Sequence, residues 1–116
     1  MVRLESLKKS NQFKKVLKEK KFHTDYFSIY ASKNFFDPKI KNSLLISFVM
    51  KKKIGNAVKR NKIRRKLKAI VQKLLKKRSA INKDYTYIVF GKSNAYDQKQ
   101  NVLLPLMEKS FKKLKK

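Results

Sequence analysis

From Ala57 to Lys77 the residues Ile63, Leu67, Ile70, Val71, Leu74 and Leu75 recur with helical period, drawing one apolar stripe down a long helix. A stripe of that length must be buried, because each Å² of apolar surface left in water costs roughly 25 cal/mol. The chain therefore has to supply a second layer, and its other apolar segments read as that layer. Tyr26 to Ser32 alternates as a strand, with Phe27, Ile29 and Ala31 on one side and Tyr26, Ser28 and Tyr30 on the other. The second side is polar yet aromatic, which suits a wet binding surface. Ser43 to Met50 is a near-continuous apolar run, expected to be a central strand buried on both faces. Tyr85 to Phe90, aromatic and β-branched, predicts a third strand.

Two further helices flank these elements. The first spans about Ser10 to Glu19, with Ser10 as cap and Phe13, Val16 and Leu17 on one face. The last lies within Gln98 to Leu114 and packs through Leu103, Met107, Phe111 and Leu114. Pro105 must sit in its first turn or kink it. Asn34 to Asn42, containing Asp37-Pro38, is expected to be a turn or loop. The only glycines are Gly55 and Gly91, and no repeat or flexible linker divides the chain. A single domain over 1–116 is predicted, an α+β two-layer sandwich of three helices on a small, mainly antiparallel sheet. The element order is α-β-β-(β)-α-β-α.

Charge narrows the function. Lys and Arg number 33 against 7 Asp and Glu, a formal charge of +26, while 41% hydrophobic residues are enough for a core. Solubility alone asks for about 2–8 charges on a small domain, so the excess calls for a polyanion, nucleic acid first. The absence of cysteine excludes disulfides and thiol catalysis. No apolar run approaches the ~20 residues of a membrane span, and Met1-Val2-Arg3-Leu4-Glu5 has no signal-peptide core, so a cytoplasmic protein without a membrane partner is expected. The acids Glu5, Glu19, Asp25, Asp37, Asp84, Asp97 and Glu108 share no helical or strand motif. His23, the only histidine, stands at a strand entrance and reads as structural or solvated. No catalytic residue and no metal site are predicted in the protein.

The densest segment holds Lys52, Lys53, Asn56, Lys59, Arg60, Asn61, Lys62, Arg64, Arg65 and Lys68. It is a strand end, a glycine turn and the first turns of the long helix. At about 100° per residue, Arg60, Arg64 and Lys68 form a ladder with Asn61 and Arg65 beside it, an arc of roughly 140° next to the apolar stripe. Like charges at this spacing weaken an isolated helix by a few tenths of a kcal/mol per pair, a cost that an anionic partner would relieve. Asn61 could bond a phosphate, a 2′-hydroxyl or its own neighbours. The helix start at Asn56-Ala57-Val58 adds donors for a further phosphate.

The run Lys52-Lys53-Ile54-Gly55-Asn56-Ala57-Val58-Lys59-Arg60-Asn61-Lys62-Ile63-Arg64-Arg65 resembles the signature of the bacterial ribonuclease P protein family. Arg3-Leu4, Phe13, Val16, Phe27-x-x-Tyr30 and Asp84-Tyr85 extend the likeness over most of the chain. Lys62 replaces the usual Arg, and Glu19-Lys20-Lys21-Phe22 stands where the family often has glycine. The resemblance implies a left-handed βαβ crossover around the basic helix. It also implies an accessory subunit of an endoribonuclease, whose RNA subunit uses Mg²⁺ to remove the 5′ leader of precursor tRNA. The ten basic-segment residues would bind the catalytic RNA, and Phe13, Leu17, Ser28 and Tyr30 would line a cleft for the leader. Phe13 and Leu17 also stand at core spacing, which leaves core packing as their alternative, and Tyr30 on the polar face is the stronger candidate. No protein partner is expected. The alternative is a ribosomal or other structural RNA-binding protein; a sequence-specific DNA binder lacks a partner helix for the basic one.

Overall fold

The computed structural model describes residues 3–5, 10–33, 43–77, 81 and 85–114. Strand β1 (Arg3–Glu5) leads to helix α1 (Ser10–Leu17), then to strands β2 (Lys20–His23), β3 (Phe27–Lys33) and β4 (Ser43–Val49). Helix α2 (Ala57–Leu75), strand β5 (Tyr85–Gly91) and helix α3 (Gln100–Leu114) complete the order. Single 3-10 turns at Lys52–Ile54 and Ser93–Tyr96 precede α2 and α3. The loop expected over Asn34 to Asn42 and the capping side chain of Ser10 lie outside the described residues.

The five strands form one sheet in the order β1-β4-β5-β3-β2. β4 pairs in parallel with β1 and β5, whereas β3 pairs antiparallel with β5 and β2. The β3–β5 ladder is long, from Phe27 opposite Gly91 to Lys33 opposite Tyr85, so antiparallel pairing covers more of the sheet. Parallel neighbours cannot be joined by a hairpin, and α2 is the crossover between β4 and β5.

One face of the sheet packs under α2 and α3. Phe27, Ile29, Ala31, Leu44, Ile46, Tyr87 and Val89 are buried there against Ile63, Leu67, Ile70, Val71 and Leu74 of α2 and Leu103, Met107 and Phe111 of α3. The stripe expected on α2 is therefore its buried side, with Leu75 at its edge. The other face carries a smaller cluster, in which Val16 of α1 meets Ile88 of β5 and Phe13, Tyr30, Val49 and Phe90 pack around them. This changes the expected wet face of β3. Ser28 and Ser32 are buried and Tyr30 is half-buried, because α1 lies across that side of the sheet.

Strand β1 was not expected, and β2 fills the optional third strand of the expected order at a position the sequence did not mark. β2 has only Phe22 as an apolar residue and alternates half-buried and exposed positions, as a lysine-bearing edge strand does. Its backbone pairing with β3 makes it a strand, and the Lys20 ammonium ties it to β5 by donating to the Tyr85 hydroxyl and to α3 by donating to the Leu114 carbonyl. The turn before it needs no glycine. The Lys18 and Glu19 N–H groups close it by donating to the Lys15 and Val16 carbonyls three residues back. Tyr26 lies in the turn ahead of β3. Pro105 sits inside α3, beyond the first turn, and leaves the Asn101 carbonyl without its usual i+4 donor.

Candidate nucleic-acid interface

Gly55 begins the interface. Its φ of +153° with ψ of −160° belongs to a region open essentially to glycine alone, and the chain reverses there between the Lys52–Ile54 turn and α2. Asn56 then caps the helix, its Oδ1 accepting from the Lys59 N–H at 2.9 Å. Its side-chain oxygen is thereby committed to the fold.

Beyond the cap, the charged residues of α2 divide between two flanks. On the first, Arg64, Arg65 and Lys68 are exposed and Arg60 is half-buried. Asn61 braces this flank: its Oδ1 accepts from Arg64 Nη1 at 2.9 Å, and its carbonyl accepts from Arg65 Nε at 3.4 Å. The Arg60 Nε is buried without a protein hydrogen-bond partner.

The second flank faces the Ser93–Tyr96 turn, since Lys62 lies about 160° round the helix from Arg64. Lys59 and Lys62 place their ammonium groups 5.2 and 4.6 Å from the Tyr96 ring centroid, and Lys59 also donates to Ser93 Oγ at 3.0 Å. Lys66 goes further. Its Nζ donates to the carbonyls of Ala95, Tyr96 and Gln98 at 2.9, 2.8 and 2.6 Å, so three N–H groups are engaged and the side chain acts as a cation fastening the turn to α2. Burial, and secondarily the like charge of Lys62, lower its pKa from the ordinary lysine value, with Asp97 acting in opposition. The structure thus groups Arg60, Asn61, Arg64, Arg65 and Lys68 and turns Lys59 and Lys62 away from them.

Next to the start of α2 the sheet opens into a cleft of about 700 Å³. Ser28 and Tyr30 of β3 and Phe90 of β5 form its floor, with Leu17 at the end of α1 on one side and Lys53 and Ile54 of the 3-10 turn on the other. Lys21, Lys51 and Lys92 add positive charge. Tyr30 and Phe90 meet edge to face at 5.4 Å and 78°, and Lys51 Nζ lies 5.7 Å from the Phe90 centroid. Such a cleft offers an aromatic floor and cationic walls, the pairing that holds unpaired nucleotides by stacking and phosphate contact.

Of the four residues expected at a cleft, Leu17, Ser28 and Tyr30 line this one. Phe13 is half-buried and packs into the small cluster with Val16 and Ile88. Of the basic candidates, Lys53 lines the cleft and Lys52 is exposed on the same turn. Phe90 was missed, and Lys51 and Ile54, which belong to the basic segment, were not expected at the cleft. Phe90 could have been found from alternation, because it falls on the β5 face opposite Tyr87 and Val89. Gly91 marks where α2 crosses β5: a Cβ there would run into Met50 Sδ and lie 2.9 Å from Ile63 Cγ2. Among the described residues no three His, Cys, Asp or Glu side chains gather where they could hold a metal ion. No helix among them is long and apolar enough to cross a membrane.

The family model for ribonuclease P matches residues 1–115. The chain is similar to the ribonuclease P protein component of Mesoplasma florum, 31% identical over 109 residues, covering 91% of this chain and 94% of that one. Among solved structures, the RNase P protein of Staphylococcus aureus superposes with a TM-score of 0.73 at 27% identity, covering 95% of this chain and 94% of that one. The Thermotoga maritima RNase P protein gives 0.67 at 24% identity over 90% of this chain and 96% of its own, a likeness of fold.

Proposed function

The chain belongs to the ribonuclease P protein family, and from that premise we propose that α2 binds the catalytic RNA while the neighbouring cleft holds the 5′ leader of precursor tRNA. The family works with an RNA subunit in forming the tRNA 5′ end, and this chain is a protein component of that endoribonuclease complex, with ribonuclease P RNA as its partner.

The observation that carries the finer reading is the adjacency of two unlike surfaces. The Lys52–Ile54 turn walls the cleft with Lys53 and Ile54 and leads directly into the helix that bears the arginine flank. Folded RNA is bound through its phosphates, which Arg60, Arg64, Arg65 and Lys68 suit as point and forked donors. A single-stranded leader instead presents bases, which Tyr30 and Phe90 suit as stacking partners. Lys52, Lys53 and Asn56 serve the junction, and Lys59 and Lys62 form a second, weaker phosphate contact around Tyr96. Leu17, Ser28 and Tyr30 are the leader residues, with Phe13 supporting them from the cluster behind. The whole chain acts as one RNA-binding domain.

Family members depend on Mg²⁺. We assign the ion mainly to the RNA subunit, whose phosphates concentrate cations. The protein's contribution there is cationic charge that lets RNA strands approach each other with less bound metal. The test is cleavage of precursor tRNA by catalytic ribonuclease P RNA at low Mg²⁺. Added protein should stimulate cleavage at the mature 5′ end; tight binding without stimulation would point to a purely structural RNA-binding protein.

A further inference from the structure

His23 closes the edge strand β2 directly opposite Ser28 of β3. Its Nδ1 lies 2.6 Å from Ser28 Oγ, a hydrogen bond between side chains on the same face of the sheet. Tyr30 is the diagonal neighbour across the same strand pair, within reach of a ring at that spacing, and the imidazole meets it edge to face at 5.8 Å and 82°. Tyr30 in turn meets Phe90. Three rings therefore cross three adjacent strands, and the histidine stands just outside the cleft while touching two of its floor residues.

A serine hydroxyl has one proton and two lone pairs and rotates freely unless something holds it. The bond to His23 takes up one of those capacities and restrains the torsion, which leaves the remaining capacity for the cleft that Ser28 lines. A fixed hydroxyl beside an aromatic face can bind a nucleobase by its edge while the ring stacks on its plane; a rotating hydroxyl would first have to be ordered. We infer that His23 is a positioning residue for the substrate: it holds the Ser28 hydroxyl and braces the Tyr30 ring, so that one leader nucleotide is gripped by both. This rests on the reading that the cleft holds the leader.

The experiment uses the reconstituted holoenzyme and two precursor tRNAs, one with a long leader and one with a single-nucleotide leader. His23→Ala should bind the long-leader substrate about three- to tenfold more weakly, the loss expected from one positioned hydrogen bond. Affinity for the short-leader substrate and kcat at saturation should not change. His23→Asn, which keeps a hydrogen-bonding atom near the Nδ1 position, should recover part of the loss. His23→Phe, which keeps only the ring, should recover less. Equal weakening toward both substrates would mean a general structural role and would overturn the inference. So would wild-type affinity of His23→Ala while Tyr30→Ala loses leader-dependent binding, in which case the cleft reading survives alone. If Tyr30→Ala also binds both substrates normally, the cleft reading itself is wrong.

Discussion

The side-chain oxygen of Asn61 accepts a 2.9 Å hydrogen bond from Nη1 of Arg64, three residues along the same helix face. An uncharged residue thus orders a charged one. Asn61→Ala should weaken binding to the catalytic RNA severalfold, the scale of a net hydrogen bond of about 0.5–1.5 kcal/mol, while leaving the slope of log K against log salt unchanged because no charge is lost. Filter binding over a range of salt concentrations separates the two quantities.

Removing the arginines themselves should change that slope. Each of Arg60→Ala, Arg64→Ala and Arg65→Ala is expected to lower it by about one unit, as loss of one phosphate contact does. A triple variant with the wild-type slope would show that this flank is only solvated.

Lys66 is expected to behave in the opposite way. Its three carbonyl partners make it part of the fold, so Lys66→Met should lower stability by about 1–3 kcal/mol by stranding them. Lys68→Met, two residues on and exposed, should leave stability nearly unchanged and weaken RNA binding. Urea denaturation compared with RNA affinity distinguishes the pair.

The two glycines should fail for different reasons. Gly55→Ala puts a side chain at a φ of +153°, with its Cβ 2.9 Å from Lys59 Cδ, and should cost about 1–3 kcal/mol of backbone strain. Gly91→Ala drives a methyl group into Met50 and Ile63 and should cost a similar amount by overpacking, about 1–3 kcal/mol. Met50→Ala ought to rescue Gly91→Ala in part and Gly55→Ala not at all, as thermal denaturation would show.

Phe90→Leu keeps an apolar side chain against Val16 and Ile88 but removes the ring. It should retain most of the stability while reducing affinity for long-leader precursor tRNA, by up to the roughly 1–3 kcal/mol of one base stack. Comparison with a single-nucleotide leader isolates that loss.

Periodicity is a local property, and whatever depended on it was legible in the chain. Ile63, Leu67, Ile70, Val71 and Leu74 point one way on any regular helix, so the buried side of α2 and the flank carrying Arg60, Arg64, Arg65 and Lys68 follow from spacing alone. The cores of β3, β4 and β5 announce themselves through alternation or continuous apolar runs. Strand β2 does not, since Lys20, Lys21 and His23 have no preference for a sheet until β3 offers its backbone. Side-chain roles among the lysines are equally silent. Lys59, Lys62, Lys66 and Lys68 are chemically alike, and only the arrival of the Ser93–Tyr96 turn from far along the chain makes one a fastener, sets two over a ring and leaves one in water. The cleft likewise needed β3 to pair with β5 before Tyr30 and Phe90 could share a floor, and α1 to bring Leu17 to its side. Such roles come from contacts between distant segments, which no window of neighbouring residues contains.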